Sequence, residues 1–401
     1  MRPGTPEFVG GRLREAREAR GLNGTVLAEL IEVSRQAVSQ YEKGYQTPSP
    51  VVMERICSVL NLPRDFFVQE SNEVVGTVFF RSFASATASE RRRQVQRQKW
   101  RRRIVAFLRK FVDFPRVCIP QLSKGKPQLL SNEEVEELAS EARRGLGIGD
   151  GPITNVVLLL ENHGVIVTRT IFDSKALDAF SEWSPDDDTP YIALNTEKRS
   201  AVRSRFDAVH ELAHMVLHRQ IDMETLPEIH KALEKQAHRF AGAFLAPAST
   251  FGKSFVRGGL DDLIALKKLW GLSISAILVR ASQLGLLSEH SYRRAMTELN
   301  RRSWRTREPL DNEIPTEEPR LLRRAIQMVL KDSGVKLSDF EKLGAGTIRD
   351  IEKNLGLSLA PPAYPKTEVS LQMPKTSYDS IVSQRTGRIF RMSDYVQSDD
   401  S

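Results

Sequence analysis

Residues 206–218 read Phe206-Asp-Ala-Val-His210-Glu211-Leu-Ala-His214-Met-Val-Leu-His218. Positions i and i+4 of an α-helix lie about 40° apart around its axis, so His210 and His214 can aim two imidazoles at one ion. Glu211 sits one position on and can approach water at that ion without taking a ligand place. His-Glu-x-x-His on a helix is therefore the pattern of two zinc ligands and a general base. Val209, Leu212 and Val216 make the opposite side apolar, which predicts a buried, rigidly held helix. His218 continues the series, but drift over two steps turns it about 80° from His210. It is read as a hydrogen-bonded histidine near the helix end rather than as a ligand.

A catalytic zinc takes three protein ligands and keeps one place open, so the third ligand must come from another segment. The next helical stretch runs Leu233-Glu234-Lys-Gln-Ala237-His238-Arg-Phe240-Ala241-Gly242-Ala243-Phe244-Leu245-Ala-Pro247. Glu234, Ala237, His238, Ala241 and Leu245 fall on one stripe, and its small residues allow two helices to approach closely. Glu234 and His238 both face that contact, and side-chain chemistry alone does not choose between them. His163, His230 and His290 lie in other segments and take no role.

Working outward, residues 164–171 are rich in β-branched side chains and read as a strand; Tyr191 to Leu194 reads as a second, with an acidic turn from Pro185 to Pro190 between them. Helices are expected over about 132–146, 153–162, 198–218, 224–245, 260–269 and 273–285, then 319–333 and 337–355 beyond a Pro- and charge-rich linker at 301–319. The tail from Ala360 is polar and proline-containing and is expected to be poorly ordered. The fold class is mainly α with a small β-sheet, α+β. The divisions expected are a head of short helices at 9–68, a basic helical connector at 69–130, a metal domain at 131–298 and a helical extension at 299–401.

The head is a bundle of short helices. Leu27-Ala28-x-x-Ile31 forms one amphipathic turn, Val33 sits in a bend, and Ser34 is placed to cap the helix Arg35-Gln36-Ala37-Val38-Ser39-Gln40-Tyr41-Glu42, which Lys43-Gly44 ends. Arg35, Gln36, Ser39 and Gln40 project from the start and one face of that second helix. Gln can bond adenine bidentately, and Arg can bond guanine or phosphate, as a recognition helix in the major groove requires. A half-site bound by one head is weakly held, so a homodimer on a double-stranded operator is expected. A long helical pattern from about 89 to 114 opens with Arg91, Arg92, Arg93, Arg97, Lys99, Arg101, Arg102 and Arg103. It is read as the solvated face of an amphipathic connector, with added phosphate binding as the alternative.

The 401 residues are too many for one compact core, and the net charge of +8 suits a polyanion partner without identifying it. Cys57 and Cys118 are far apart and outside any Cys-x-x-Cys pair, which reads as two reduced thiols in a cytoplasmic protein. No apolar run is long enough for a membrane span.

Two resemblances extend this reading. Residues 206–218, followed by 234–247, Tyr191-Ile-Ala-Leu-Asn195 and Leu272-Ser-Ile-Ser-Ala-Ile-Leu-Val-Arg280, resemble the ImmA/IrrE zinc metallopeptidases over about 135–290. That resemblance implies a compact zincin-like domain with Glu234, not His238, as third ligand. It also implies a substrate that is a helix-turn-helix repressor or antitoxin-type protein. The head, with Arg12-Leu13-Arg14, Val33-Ser34-Arg35 and Tyr41-Glu42-Lys43-Gly44, resembles five-helix Xre/lambda-repressor-like domains. Gly24 stands where that family often has a phosphate-binding Gln. The expectation is a DNA-binding transcriptional regulator carrying a zinc endopeptidase, with Glu211 as base. The competing expectation is a non-proteolytic regulator or antitoxin whose metal domain senses or binds a partner.

Overall fold

A helix begins where something stands in for the missing backbone acceptors of its first turn. In the computed structural model, which describes residues 5–70, 78–80, 86–122, 130–174, 177–197, 200–219, 221, 226–255, 259–359 and 390–391, the second, third and fourth helices of the head follow this rule. After α1 (Gly10–Ala19), the Asn23 side chain accepts from Val26 N at 2.8 Å to open α2 (Gly24–Leu30). Ser34 accepts from Ala37 N at 3.1 Å to open α3 (Arg35–Glu42). Ser49 does the same for α4 (Pro50–Leu60), and a 3-10 turn, Arg64–Val68, is the fifth helical piece. Helices α1 and α3 cross so closely at Gly10 that a Cβ there would collide with the Tyr41 carbonyl.

The chain continues through β1 (Val78–Phe80), α5 (Ala88–Leu108), β2 (Val112–Asp113), α6 (Asn132–Gly145), α7 (Val156–Asn162), β3 (Ile166–Thr170), β4 (Ala179–Ser184) and β5 (Thr189–Asn195). Then come α8 (Ala201–Leu217), α9 (Leu226–Leu245), α10 (Ala248–Ser254), α11 (Leu260–Trp270), α12 (Ile274–Gln283), α13 (Glu289–Arg301), α14 (Leu321–Asp332), α15 (Leu337–Glu341) and α16 (Ile348–Leu355). A last short strand, β6 (Phe390–Arg391), pairs parallel with β2.

The main sheet has the order β1-β4-β5-β3; β3 runs parallel to β5, and the other pairs are antiparallel. Strand β4 was not expected. It forms a hairpin with β5 around the acidic turn, which is shorter than the sequence reading made it, because Thr189 and Pro190 already pair with Ser184 and Trp183. Successive side chains of a strand face opposite ways. On β4, Ala179 joins the apolar core that includes α8, and Ser181 reaches Glu211 of that helix at 2.6 Å. Phe180 lies under the Arg101 guanidinium, and Glu182 accepts from Arg102 at 3.3 Å. The sheet is thus a middle layer between α8 and α5.

That position of α5 overturns the reading of the basic run as a solvated face. Gln94, Gln98, Trp100, Arg101 and Arg102 are buried; Arg97, Arg102 and Arg103 meet carboxylates of other segments, and Arg101 donates to the Asn354 carbonyl at 3.1 Å. Arg97 bonds Asp173 at 2.9 Å, and Arg103 bonds Glu15 at 2.7 Å. The helix has neighbours on nearly every side, so long guanidinium stems bury their methylenes while their heads are neutralised. Burial lowers the Arg101 pKa to about 9, with the neighbouring Arg97 pushing the same way.

Residues 321–355 share one apolar cluster with the head and α5, running from Leu13, Ile56 and Phe67 through Trp100 and Ile104 to Leu322, Ile326, Phe340 and Ile351. The helix expected over 337–355 is two helices, interrupted where Gly344 and Gly346 take positive φ. The Pro- and charge-rich linker is also anchored. Lys267, fully buried, bonds Glu308 at 2.9 Å and Asp311 at 2.7 Å. Glu317 accepts from the amides of Val156 and Val157 at the start of α7. The tail expectation from Ala360 falls almost entirely outside the described residues. Among the described residues, no helix is long and apolar enough to cross a membrane, and Cys57 and Cys118 are free thiols.

Candidate metal centre

Helix α8 is buried over most of its length, which fixes the rotation of His210 and His214. Small side chains, Ala213 on α8 and Ala237 and Ala241 on α9, are fully buried in the core between these helices and let them approach closely. The approach brings Glu234 over the two imidazoles. His210 Nε2 and His214 Nε2 lie 3.2 Å apart, and each is 3.3 Å from an oxygen of Glu234. Ligand atoms held about 2.0–2.1 Å from a tetrahedral zinc are about 3.3–3.4 Å from one another, so the three residues fit such an ion. Glu234 Oε1 is shut off from solvent and has no hydrogen-bond donor among the described residues, as suits an oxygen reserved for a cation. His238, the other residue left open by side-chain chemistry, has an exposed ring packed against His210 and Phe206, with centroids 4.7 and 5.7 Å away. It is outside the group of three that could hold a metal ion.

Glu211 is completely buried beside this group, and its Oε2 accepts a hydrogen bond from Ser181 Oγ at 2.6 Å. Ser181 escaped the sequence reading because β4 did: Ala-Phe-Ser-Glu-Trp-Ser mixes apolar and polar residues on both faces and lacks the alternation of a half-buried strand. Gln236 was missed as well. His218 Nε2 lies 2.9 Å from Gln236 Oε1, and His218 Nδ1 lies 2.9 Å from His214 Nδ1. Only one proton arrangement serves a metal. A lone pair on His214 Nε2 puts the proton on its Nδ1, which donates to His218 Nδ1; His218 Nε2–H then donates to the Gln236 carbonyl. Burial, reinforced by the adjacent His214, drives the His218 pKa down to about 3, so the ring stays neutral as this chain requires.

Partners of this outer kind orient a ligand and raise its basicity. His218→Ala is therefore expected to weaken zinc binding about 10–100-fold while leaving the helix folded. Competition with a chromophoric chelator reads this, and affinity equal to wild type would reduce His218 to packing.

In the head, Arg35 and Gln36 are exposed and Ser39 and Gln40 half-buried on α3, whereas Val38 and Tyr41 turn into the core. The four residues singled out for base contact thus lie on the accessible side of the helix.

Comparison with known families agrees with both halves. Residues 13–67 match the model of a helix-turn-helix family, and residues 160–282 match a peptidase-family model described as the IrrE N-terminal-like domain. The two matches follow one another from N- to C-terminus: a DNA-binding type of head precedes a metallopeptidase-like domain. No curated protein matches the chain.

Proposed function

We propose that this chain is a DNA-binding transcriptional regulator whose second part is a zinc-dependent endopeptidase acting on a helix-turn-helix repressor or an antitoxin-type protein. The supporting observation is the convergence of His210 Nε2, His214 Nε2 and the Glu234 carboxylate within 3.2–3.3 Å, with a second carboxylate alongside. Those three residues would hold the ion, which when bound supplies Lewis acidity toward a peptide carbonyl and toward water. Glu211 takes the proton of the attacking water on its carboxylate and hands it to the leaving nitrogen as the C–N bond breaks. Ser181 holds one Glu211 oxygen by its hydroxyl and so fixes the direction of the other.

The head would read a duplex operator in the cytoplasm, as a homodimer, through Arg35, Gln36, Ser39 and Gln40. Because Arg35 and Gln36 are exposed, their truncation should leave stability unchanged. Gln36→Ala is expected to cost about 1–3 kcal/mol in operator affinity at one base position. Selection of bound sequences from random duplexes, followed by gel-shift titration at fixed salt, measures it. An unchanged sequence preference in Arg35→Ala and Gln36→Ala would remove α3 as the reading helix. For the second part, the test is metal analysis of the purified chain together with mass spectrometry of peptides from a co-expressed cognate repressor. About one zinc per chain and a discrete cleavage product are expected.

A further inference from the structure

Strand β4 has two long edges. One is paired with β5; the other carries β1, a three-residue strand from the connector between the head and α5. The register is antiparallel, with Val78 opposite Glu182, Phe79 opposite Ser181 and Phe80 opposite Phe180. Ser181 is the residue whose hydroxyl bonds Glu211. The backbone of residues 78–80 therefore runs one strand spacing, about 4.8 Å, from the residue that orients the proposed general base. An extended peptide that adds to a sheet edge gains affinity from main-chain hydrogen bonds, and the edge accepts one strand at a time.

We propose that the connector segment 78–80 is an internal competitor: it occupies the outer edge of β4, along which a peptide bound for the metal centre would lie. The proposal rests on the peptidase reading given above. The occupant is this chain's own Val78-Phe79-Phe80, a β-branched and aromatic run of the kind that favours extended backbone. An external substrate would present an extended segment of similar chemistry. The internal strand is tethered at both ends, so its effective concentration is on the order of millimolar, and a weakly bound peptide cannot displace it. Three residues of pairing give it little intrinsic hold, so a substrate recognised elsewhere on its surface can. Catalysis would then be confined to proteins that dock beyond the edge itself, which keeps a peptidase from cutting unfolded chains at large.

Alternate residues of an antiparallel strand donate to the partner, so of two neighbouring amides one faces β4. Val78→Pro/Phe79→Pro removes that donor whichever it is. The probe is a fluorescein-labelled peptide with the sequence of residues 74–84, titrated into full-length, zinc-loaded Glu211→Gln protein so that it is not cut. Binding at least tenfold tighter to the Pro-containing protein than to Glu211→Gln alone is expected. Equal binding, or no binding to either, overturns the proposal. Val78→Gly/Phe80→Gly, which keeps every amide but lowers strand propensity, should shift affinity in the same direction and guards against misfolding of the proline variant. Cleavage of a co-expressed cognate repressor, read by mass spectrometry, separates the two readings. If proline and wild-type proteins digest it equally and bind the peptide equally, the docking idea fails and the peptidase stands. If neither digests it yet the peptide discriminates tenfold, the edge is a docking site and the peptidase reading fails.

Discussion

Glu211→Gln is expected to keep its zinc and lose about 10²- to 10⁴-fold in cleavage rate toward the cognate protein substrate. The two side chains are isosteric, and the residue is fully buried with a hydroxyl donor on one oxygen; glutamine can still accept that bond, so the fold has no reason to change. What disappears is a group able to receive a proton. The metal count should be unaffected because the side chains that could hold the ion are His210, His214 and Glu234, not Glu211. His210→Ala/His214→Ala should behave differently, losing both metal and cleavage. Metal analysis and single-turnover cleavage by mass spectrometry, run on the same preparations, distinguish them. A Glu211→Gln protein that cuts at the wild-type rate would dismiss this carboxylate as the base. If Glu211→Gln behaves like wild type in cells while Gln36→Ala derepresses its targets, the metal domain binds or senses without cutting.

The parts of the site that rest on helical periodicity were legible in the sequence. His210, Glu211 and His214 are fixed relative to one another by a single helix, and Glu234 by a stripe of small residues that lets a second helix come close. Choosing Glu234 over His238 needed a family resemblance, because a one-turn separation on α9 leaves both on the contact face. The supporting residues depend on strand pairing or cross-helix contact, which local pattern does not encode. Ser181 reaches Glu211 from a strand whose sequence lacks alternation, and Gln236 meets His218 only once α8 and α9 are docked. The basic run misled for a related reason. Arginine-rich helices usually face water, and the carboxylates that neutralise this one, Glu15, Asp173 and Glu182, come from segments up to 88 residues away.

Glu15 shows what that burial costs to disturb. Its carboxylate accepts from Arg12 at 2.7 Å, from Trp100 Nε1 at 2.7 Å and from both Arg103 nitrogens at 2.7 and 3.0 Å. Arg12 in turn donates to the Phe66 carbonyl at 2.9 Å and to Gly344 at 3.0 Å. One acid of α1 therefore ties together the head, α5 and the turn before α16. Glu15→Ala leaves the Arg12 and Arg103 guanidiniums in a dry environment without that carboxylate, and a loss of about 3–5 kcal/mol is expected. Burial alone would raise the Glu15 pKa, but the hydrogen bond from Arg103 and the charges of Arg103 and Arg12 outweigh it, and the net shift is downward from 4.5. A depressed folded pKa means that this contribution is fully present above about pH 4.5 and is lost as pH falls through the folded value. Wild-type stability should thus decline on acidification through that window, and Glu15→Ala should lack this part of the decline. Hydrogen exchange locates the damage. Because the shared apolar cluster runs from Leu13 through Trp100 to Ile351, protection should fall together in α1, α5 and α14 to α16. A loss confined to residues 9–68 would mean that the head folds alone and only rests on the remainder. Helix α3 would then move free of the rest of the chain, whereas a joint loss means that α1, α5 and α14 to α16 unfold as one unit.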